Sequence, residues 1–177
     1  MMVTIRREEP RDTEAADAIV AGAFGPGRFA KSAYRLRECL AAVAELSFVA
    51  EEGARIVGTV RYWPVVIGGE AALMLGPIAI VADRQGQGIA LALMQASLAE
   101  AKRLGHRAVI LVGDEPYYGR AGFKRVQPYG RITMPGPVDY ARVLGLSLVY
   151  GAVEAMKGDA RKAAMDEPVA AAGCAVG

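Results

Sequence analysis

The chain has 177 residues, 53% hydrophobic and 23% charged, the composition of one globular domain rather than of a disordered or collagenous segment. Its 21 Lys and Arg against 19 Asp and Glu leave a net charge of +2, which supplies no broad basic field for nucleic acid or an anionic membrane. The opening Met1 to Glu9 is too charged and too short in apolar residues to read as a signal peptide, and the longest apolar stretch, Ala71 to Ala82, is broken by Gly76-Pro77 and shorter than the roughly 20 residues of a membrane span.

Residues Val3 to Arg7 alternate like an edge strand, and Asp12 with Glu14 opens a helical run from Ala15 to Phe24 that Gly25-Pro26-Gly27 ends. A second helix is expected over Ala30 to Ala44, carrying Tyr34, Leu36, Leu40 and Val43. Leu46 to Ala50 then turns strand-like, and Glu51-Glu52-Gly53-Ala54 reads as a hairpin turn. The return strand begins at Arg55, with Ile56, Gly58, Val60 and Tyr62 on one face and Val57, Thr59, Arg61 and Trp63 on the other. After a turn at Gly68-Gly69, Leu73 to Val81 is almost wholly apolar, as a central strand covered on both faces would be.

From Ile89 the spacing is helical through Ala90, Met94, Ser97, Leu98, Ala101 and Leu104, with Gly105 as its stop, and Ala108 to Val112 is a buried strand. This order predicts an α/β fold with a mostly antiparallel front and a right-handed crossover at its centre. Val138 to Met156 could hold a strand and a helix in either order. We expect one domain over residues 1–157 and a flexible tail over 158–177. Cys39 and Cys174 suggest no disulfide framework or CxxC metal site, as suits a cytoplasmic protein, and the single histidine, His106, excludes most paired-histidine chemistry.

Between the central strand and the helix lies Gln85-Gly86-Gln87-Gly88-Ile89-Ala90. A diphosphate needs several converging N–H donors, and a glycine turn feeding a helix supplies them together with the positive end of the helix dipole. A Walker loop fails for want of Gly-Lys-Ser/Thr, and a dinucleotide fingerprint fails because Leu91 stands where its third glycine belongs. The segment instead resembles Q/R-x-x-G-x-G/A, the CoA-binding motif of the GNAT superfamily of N-acetyltransferases, with Gln85, Gly88 and Ala90 at its defining places. Tyr118-Gly119-Arg120-Ala121-Gly122-Phe123 is similar to the Tyr-x-x-x-Gly-Phe helix of the same family, and the two motifs stand in the family's order. Gly113-Asp114-Glu115-Pro116-Tyr117-Tyr118 further resembles a small bacterial subgroup of acetyltransferases without assigned substrates, although Asp114 stands where Asn is common.

The resemblance implies a central, mixed but mostly antiparallel sheet of six to seven strands flanked by helices. It also implies acetyl-CoA as donor, no metal, and a monomer or homodimer acting on a small molecule or peptide amine. It assigns the cofactor to Ile78, Ala79, Ile80, Arg84, Gln85, Gly86, Gln87, Gly88, Ile89, Ala90, Leu91 and Tyr117. The backbone N–H near Ile80 would polarise the thioester, and Tyr118 would be the general acid. Arg84 could reach an outer phosphate or could be merely solvated. A neutral amine nucleophile at pH 7 costs roughly 4 to 5 kcal/mol from a reference pKa near 10.4, so a base or water relay should assist. Glu51, Glu52, Glu70, Asp114 and Glu115 are the candidates, and none declares itself. Phe24, Phe29, Tyr34, Tyr62 and Trp63 could line an acceptor pocket, although such aromatics are usually core. The alternative function is a non-catalytic acyl-CoA sensor.

Overall fold

In the computed structural model, which describes residues 2–27 and 31–163, the elements run β1 (Val3–Arg7), α1 (Thr13–Phe24), α2 (Ser32–Arg35), β2 (Phe48–Glu52), β3 (Arg55–Ile67), β4 (Glu70–Ile80), α3 (Ile89–Arg103), β5 (Ala108–Val112), α4 (Glu115–Tyr118), β6 (Lys124–Arg125), β7 (Ile132–Thr133), β8 (Val143–Ser147), α5 (Ala152–Ala155) and β9 (Gly158–Lys162). Seven strands lie side by side in the order β1-β2-β3-β4-β5-β8-β6, antiparallel except for the parallel β4/β5 pair that α3 connects. This is the expected α/β fold, with β7 and β9 added beyond the main path. Among the described residues no helix is long and apolar enough to cross a membrane.

The alternation along β3 places α1 and α3 on opposite faces of the sheet. Gly58 lies against Leu93 of α3, and Tyr62 bonds Ser97 of the same helix. Arg61 points the other way, to Glu8 and to Asp17 of α1. The α3 stripe Ile89, Ala90, Leu93, Met94, Ser97, Leu98 and Ala101 is buried at helical spacing. Leu104, expected on this stripe, is 40% exposed.

Three expectations are corrected. The second helix is limited to Ser32–Arg35. Turn bonds continue to Leu40, Cys39 takes φ of +62°, and the N–H of Val43 then donates to the carbonyl of Tyr62, so the chain leaves the helical path and meets the open edge of β3 at Val43. The tail does not begin at Gly158, because Gly158–Lys162 pairs with β3 at Val65 to Ile67 and with β7. The exposed half of the β3 edge offers unpaired backbone groups that a weakly apolar segment can satisfy; the rest of the expected tail, 164–177, lies outside the described residues. Cys39 is disulfide-bonded rather than a free thiol. The open order of strand and helix over Val138 to Met156 resolves as β8 followed by α5.

Two irregularities shape the centre of the sheet. In the β3/β4 ladder Val60 faces Ile78 and Tyr62 faces Leu75, so Gly76 and Pro77 together oppose Arg61 as a bulge, which bends and twists the strand. The β4/β5 pairing consists of Leu73 with Val109 and Met74 with Ile110, while β4 runs on to Ile80. The carboxyl ends of these parallel strands therefore part, which is where α/β sheets receive ligands.

Candidate active site

The N–H of Val81 donates to the carbonyl of Val57 at 2.9 Å, which fixes the side of β4 that serves the β3 ladder. By alternation, the N–H and carbonyl groups of Ile78 and Ile80 point away from β3, toward the side where β4 and β5 part. The Ile80 carbonyl accepts from Gln85 Nε2 at 3.3 Å, so the glutamine folds back and closes the turn onto the strand. Gln87 bonds the Asp83 carbonyl at 3.4 Å in the same manner.

Gly86 and Gly88 have φ of +75° and +82°. A Cβ at either would meet nothing within 4 Å, so conformation requires glycine here, while the empty space beside the backbone is left for a ligand. Gly88 caps α3 without a side-chain hydrogen bond, and the first turn carries no acidic residue. The ladder starts at the N–H of Ala92, which bonds Gly88, leaving the N–H groups of Ile89, Ala90 and Leu91 ahead of it as an anion site.

A cavity of about 380 Å³ joins these features. Of the cofactor residues assigned from sequence, all but Gln87 line it. The tertiary structure adds Ala23 and Phe24 from the end of α1, Met94 from the buried stripe of α3, and Arg120. Only Phe24 had a sequence signal, as one of several aromatics. Phe29 lies outside the described residues, Tyr62 is core, and Trp63 donates to the Gly76 carbonyl at the bulge.

Arg84 is neither free nor merely solvated: Nε and Nη2 chelate Glu52 Oε2 at 3.1 and 2.9 Å, and Nη1 reaches Asp83. Asp83 is held in turn by both terminal nitrogens of Arg55. Four of the five base candidates are similarly engaged, Glu51 with Arg6, Glu52 with Arg84, Asp114 with Arg142 and Glu115 with Arg125, and Glu70 lies at the start of β4, outside the cavity lining. His106 caps the end of α3 through its N–H to Ala101, outside the cavity lining, and burial pushes its imidazole pKa down. Among the described residues no group of His, Cys, Asp or Glu is arranged to hold a metal ion.

The two tyrosines of α4 part company. Tyr117 is 43% exposed on the cavity wall. Tyr118 is outside the lining residues, its ring packed on Gly113 and edge-on to both Tyr117 and Phe123. Burial pushes the Tyr118 phenol up to about 12 and raises that of Tyr117 less far, so both are protonated at neutral pH.

The sequence matches the acetyltransferase (GNAT) family over residues 13–123. It is 33% identical over 122 residues to the uncharacterized N-acetyltransferase YhbS of Escherichia coli K12, covering 68% of this chain and 72% of that protein. The crystal structure of Escherichia coli YhbS in complex with CoA superposes with a TM-score of 0.77 at 26% identity, over 90% of this chain and 89% of that one. A GNAT family acetyltransferase from Brucella melitensis in complex with acetyl-CoA gives a TM-score of 0.63 at 30% identity, over 82% and 88%. The chain therefore belongs to the GNAT family of acetyltransferases.

Proposed function

We propose that the protein transfers an acetyl group from acetyl-CoA to a primary amine by direct attack on the thioester. The observation that carries this reading is the cavity that runs from the uncapped start of α3 along Ile78 to Ile80 of β4 to Tyr117 of α4. Related proteins hold CoA and acetyl-CoA, which supports the same donor here. The diphosphate would accept from the N–H groups of Gly88 to Leu91. Arg84 and Arg120 add positive charge on the walls, that of Arg84 moderated by Glu52.

The β4 backbone beyond the bulge would guide the donor through the gap, and the outward N–H near Ile80 would polarise the thioester carbonyl as negative charge grows on its oxygen. The amine nitrogen attacks the carbonyl carbon, the C–S bond breaks, and the nitrogen gives up its extra proton to water. The leaving thiolate takes a proton from Tyr118. Tyr117 is a second reading for that donor, favoured by its place on the cavity wall.

Free-thiol release from acetyl-CoA across a panel of primary amines tests the activity. Binding of CoA with no release for any amine would favour a sensor instead. Tyr118→Phe should lower kcat by about 100-fold or more with little change in KM for acetyl-CoA, as loss of a general acid does. If Tyr117→Phe produces that loss and Tyr118→Phe does not, the role passes to Tyr117.

A further inference from the structure

Tyr118 sits in a small polar frame that the mechanism above does not use. Asp114 caps α4, and its carbonyl accepts from the N–H groups of Tyr117 and Tyr118 at 3.0 and 3.1 Å. The preceding residue, Gly113, donates its N–H to the Arg142 carbonyl at 2.9 Å, and its missing side chain is the space that the Tyr118 ring fills. Arg142, the residue before β8, returns across the same junction and donates from Nε to Asp114 Oδ1 at 3.1 Å. One backbone bond and one ion pair thus join the start of β8 to the turn that aims Tyr118.

We infer that Asp114 and Arg142 form a positioning pair for Tyr118, whose two opposite charges, held at the turn that aims the ring, together set how readily the phenol meets the leaving thiolate as its acid. This rests on the reading of Tyr118 as the acid. Three titratable or charged groups act on the phenol: Asp114 and Tyr117 hold its proton more firmly, and Arg142 loosens it. Arg120 acts on Tyr117 instead. An aspartate differs here from the neutral amide common at this place in the family, because its side chain makes no cap hydrogen bond and instead brings a charge to the pair with Arg142. Both members of the pair are exposed enough for salt to screen them.

The test uses the full chain labelled with 13C at tyrosine Cζ, the Tyr118 resonance being identified by its loss in Tyr118→Phe. Asp114→Asn should move the alkaline titration of Tyr118 to lower pH, and Arg142→Gln should move it to higher pH. The double substitution should return it toward the parent position. At neutral pH, kcat should rise about two- to three-fold in Asp114→Asn and fall by a similar factor in Arg142→Gln, with KM for acetyl-CoA unchanged. These differences should shrink as salt is added. A purely structural staple would displace the titration in the same direction in both variants, and that result, or an unmoved titration in both, overturns the inference. Full activity in Tyr118→Phe would remove the acid role itself, and the titration would still report separately whether the pair governs the phenol.

Discussion

The phenolic oxygen of Tyr62 lies 2.8 Å from the hydroxyl oxygen of Ser97, tying β3 to α3 inside the core. Ser97 has one proton, and the Leu93 carbonyl at 2.7 Å takes it, so Tyr62 is the donor of the shared bond. Tyr62→Phe should therefore cost about 1 kcal/mol, since Ser97 keeps its bond within the helix. Ser97→Ala strands a fully buried phenol and should cost more, about 1 to 3 kcal/mol, less a few tenths for the better helix propensity of alanine. Urea unfolding of both variants and of the double variant checks this; equal losses for the two single variants would contradict the assigned donor.

Two glycines with open surroundings should respond oppositely to alanine. Gly88 has φ of +82°, and an L side chain there is strained by about 1 to 2 kcal/mol. Gly88→Ala should lose stability on that scale and CoA affinity by about ten-fold, because the strain is relieved only by moving the amides that face the cavity. Gly22, on the exposed face of α1, has no positive φ and nothing within 4 Å of a built Cβ. Gly22→Ala should gain about 0.5 to 1 kcal/mol with CoA affinity unchanged. Calorimetric titration with CoA beside thermal unfolding separates the two.

Glu52 neutralises Arg84 at the cavity rim, its side chain only 10% exposed. Glu52→Gln keeps an oxygen acceptor for the guanidinium and removes the opposing charge, so CoA should bind about two- to three-fold more tightly at low salt. Arg84→Gln should weaken binding by a comparable factor. Equal affinity in both variants across a salt series would mean that Arg84 serves only the Glu52 and Asp83 contacts.

Asp12 is buried at the start of α1, chelated by Arg6 at 2.6 and 2.9 Å and accepting the N–H of Glu9 at 2.8 Å. The Arg6 bonds, helped by the Glu9 amide, hold its carboxyl down at about 2 against an ordinary 3.8. A folded-state value below the unfolded one means that the stabilisation is fully present above about pH 4 and fades as pH falls through about 2. Asp12→Asn should therefore lower the urea midpoint at pH 7, at a cost of about 1 to 3 kcal/mol, and the gap to the parent protein should narrow toward pH 2. A gap independent of pH would assign the loss to packing rather than charge.

The regular periods carried far. β1, α1, the β2/β3 hairpin, β4, α3 and β5 lie where alternation, helical spacing and glycine stops put them, because each buries a face through contacts that its own sequence repeats. The Gln85 to Ala90 turn was legible for a similar reason: its glycines answer to local φ, and local φ is written in residue type.

Tertiary structure decided what depends on partners distant in sequence. The segment around Val43 falls within a helical pattern yet bonds the β3 edge at Tyr62, since an open backbone group there outweighs weak local propensity. β9 has little hydrophobicity to announce it and exists because Val65 to Ile67 offer it an edge. Arg120 and Met94 reach the cavity only once α4 and α3 are folded beside β4, and the same packing sends Tyr117 to its wall and Tyr118 against Gly113. The sequence thus determined the strand, turn and helix that frame the cavity. Only folding decided which charges and rings surround it, because those contacts join residues that no local spacing relates.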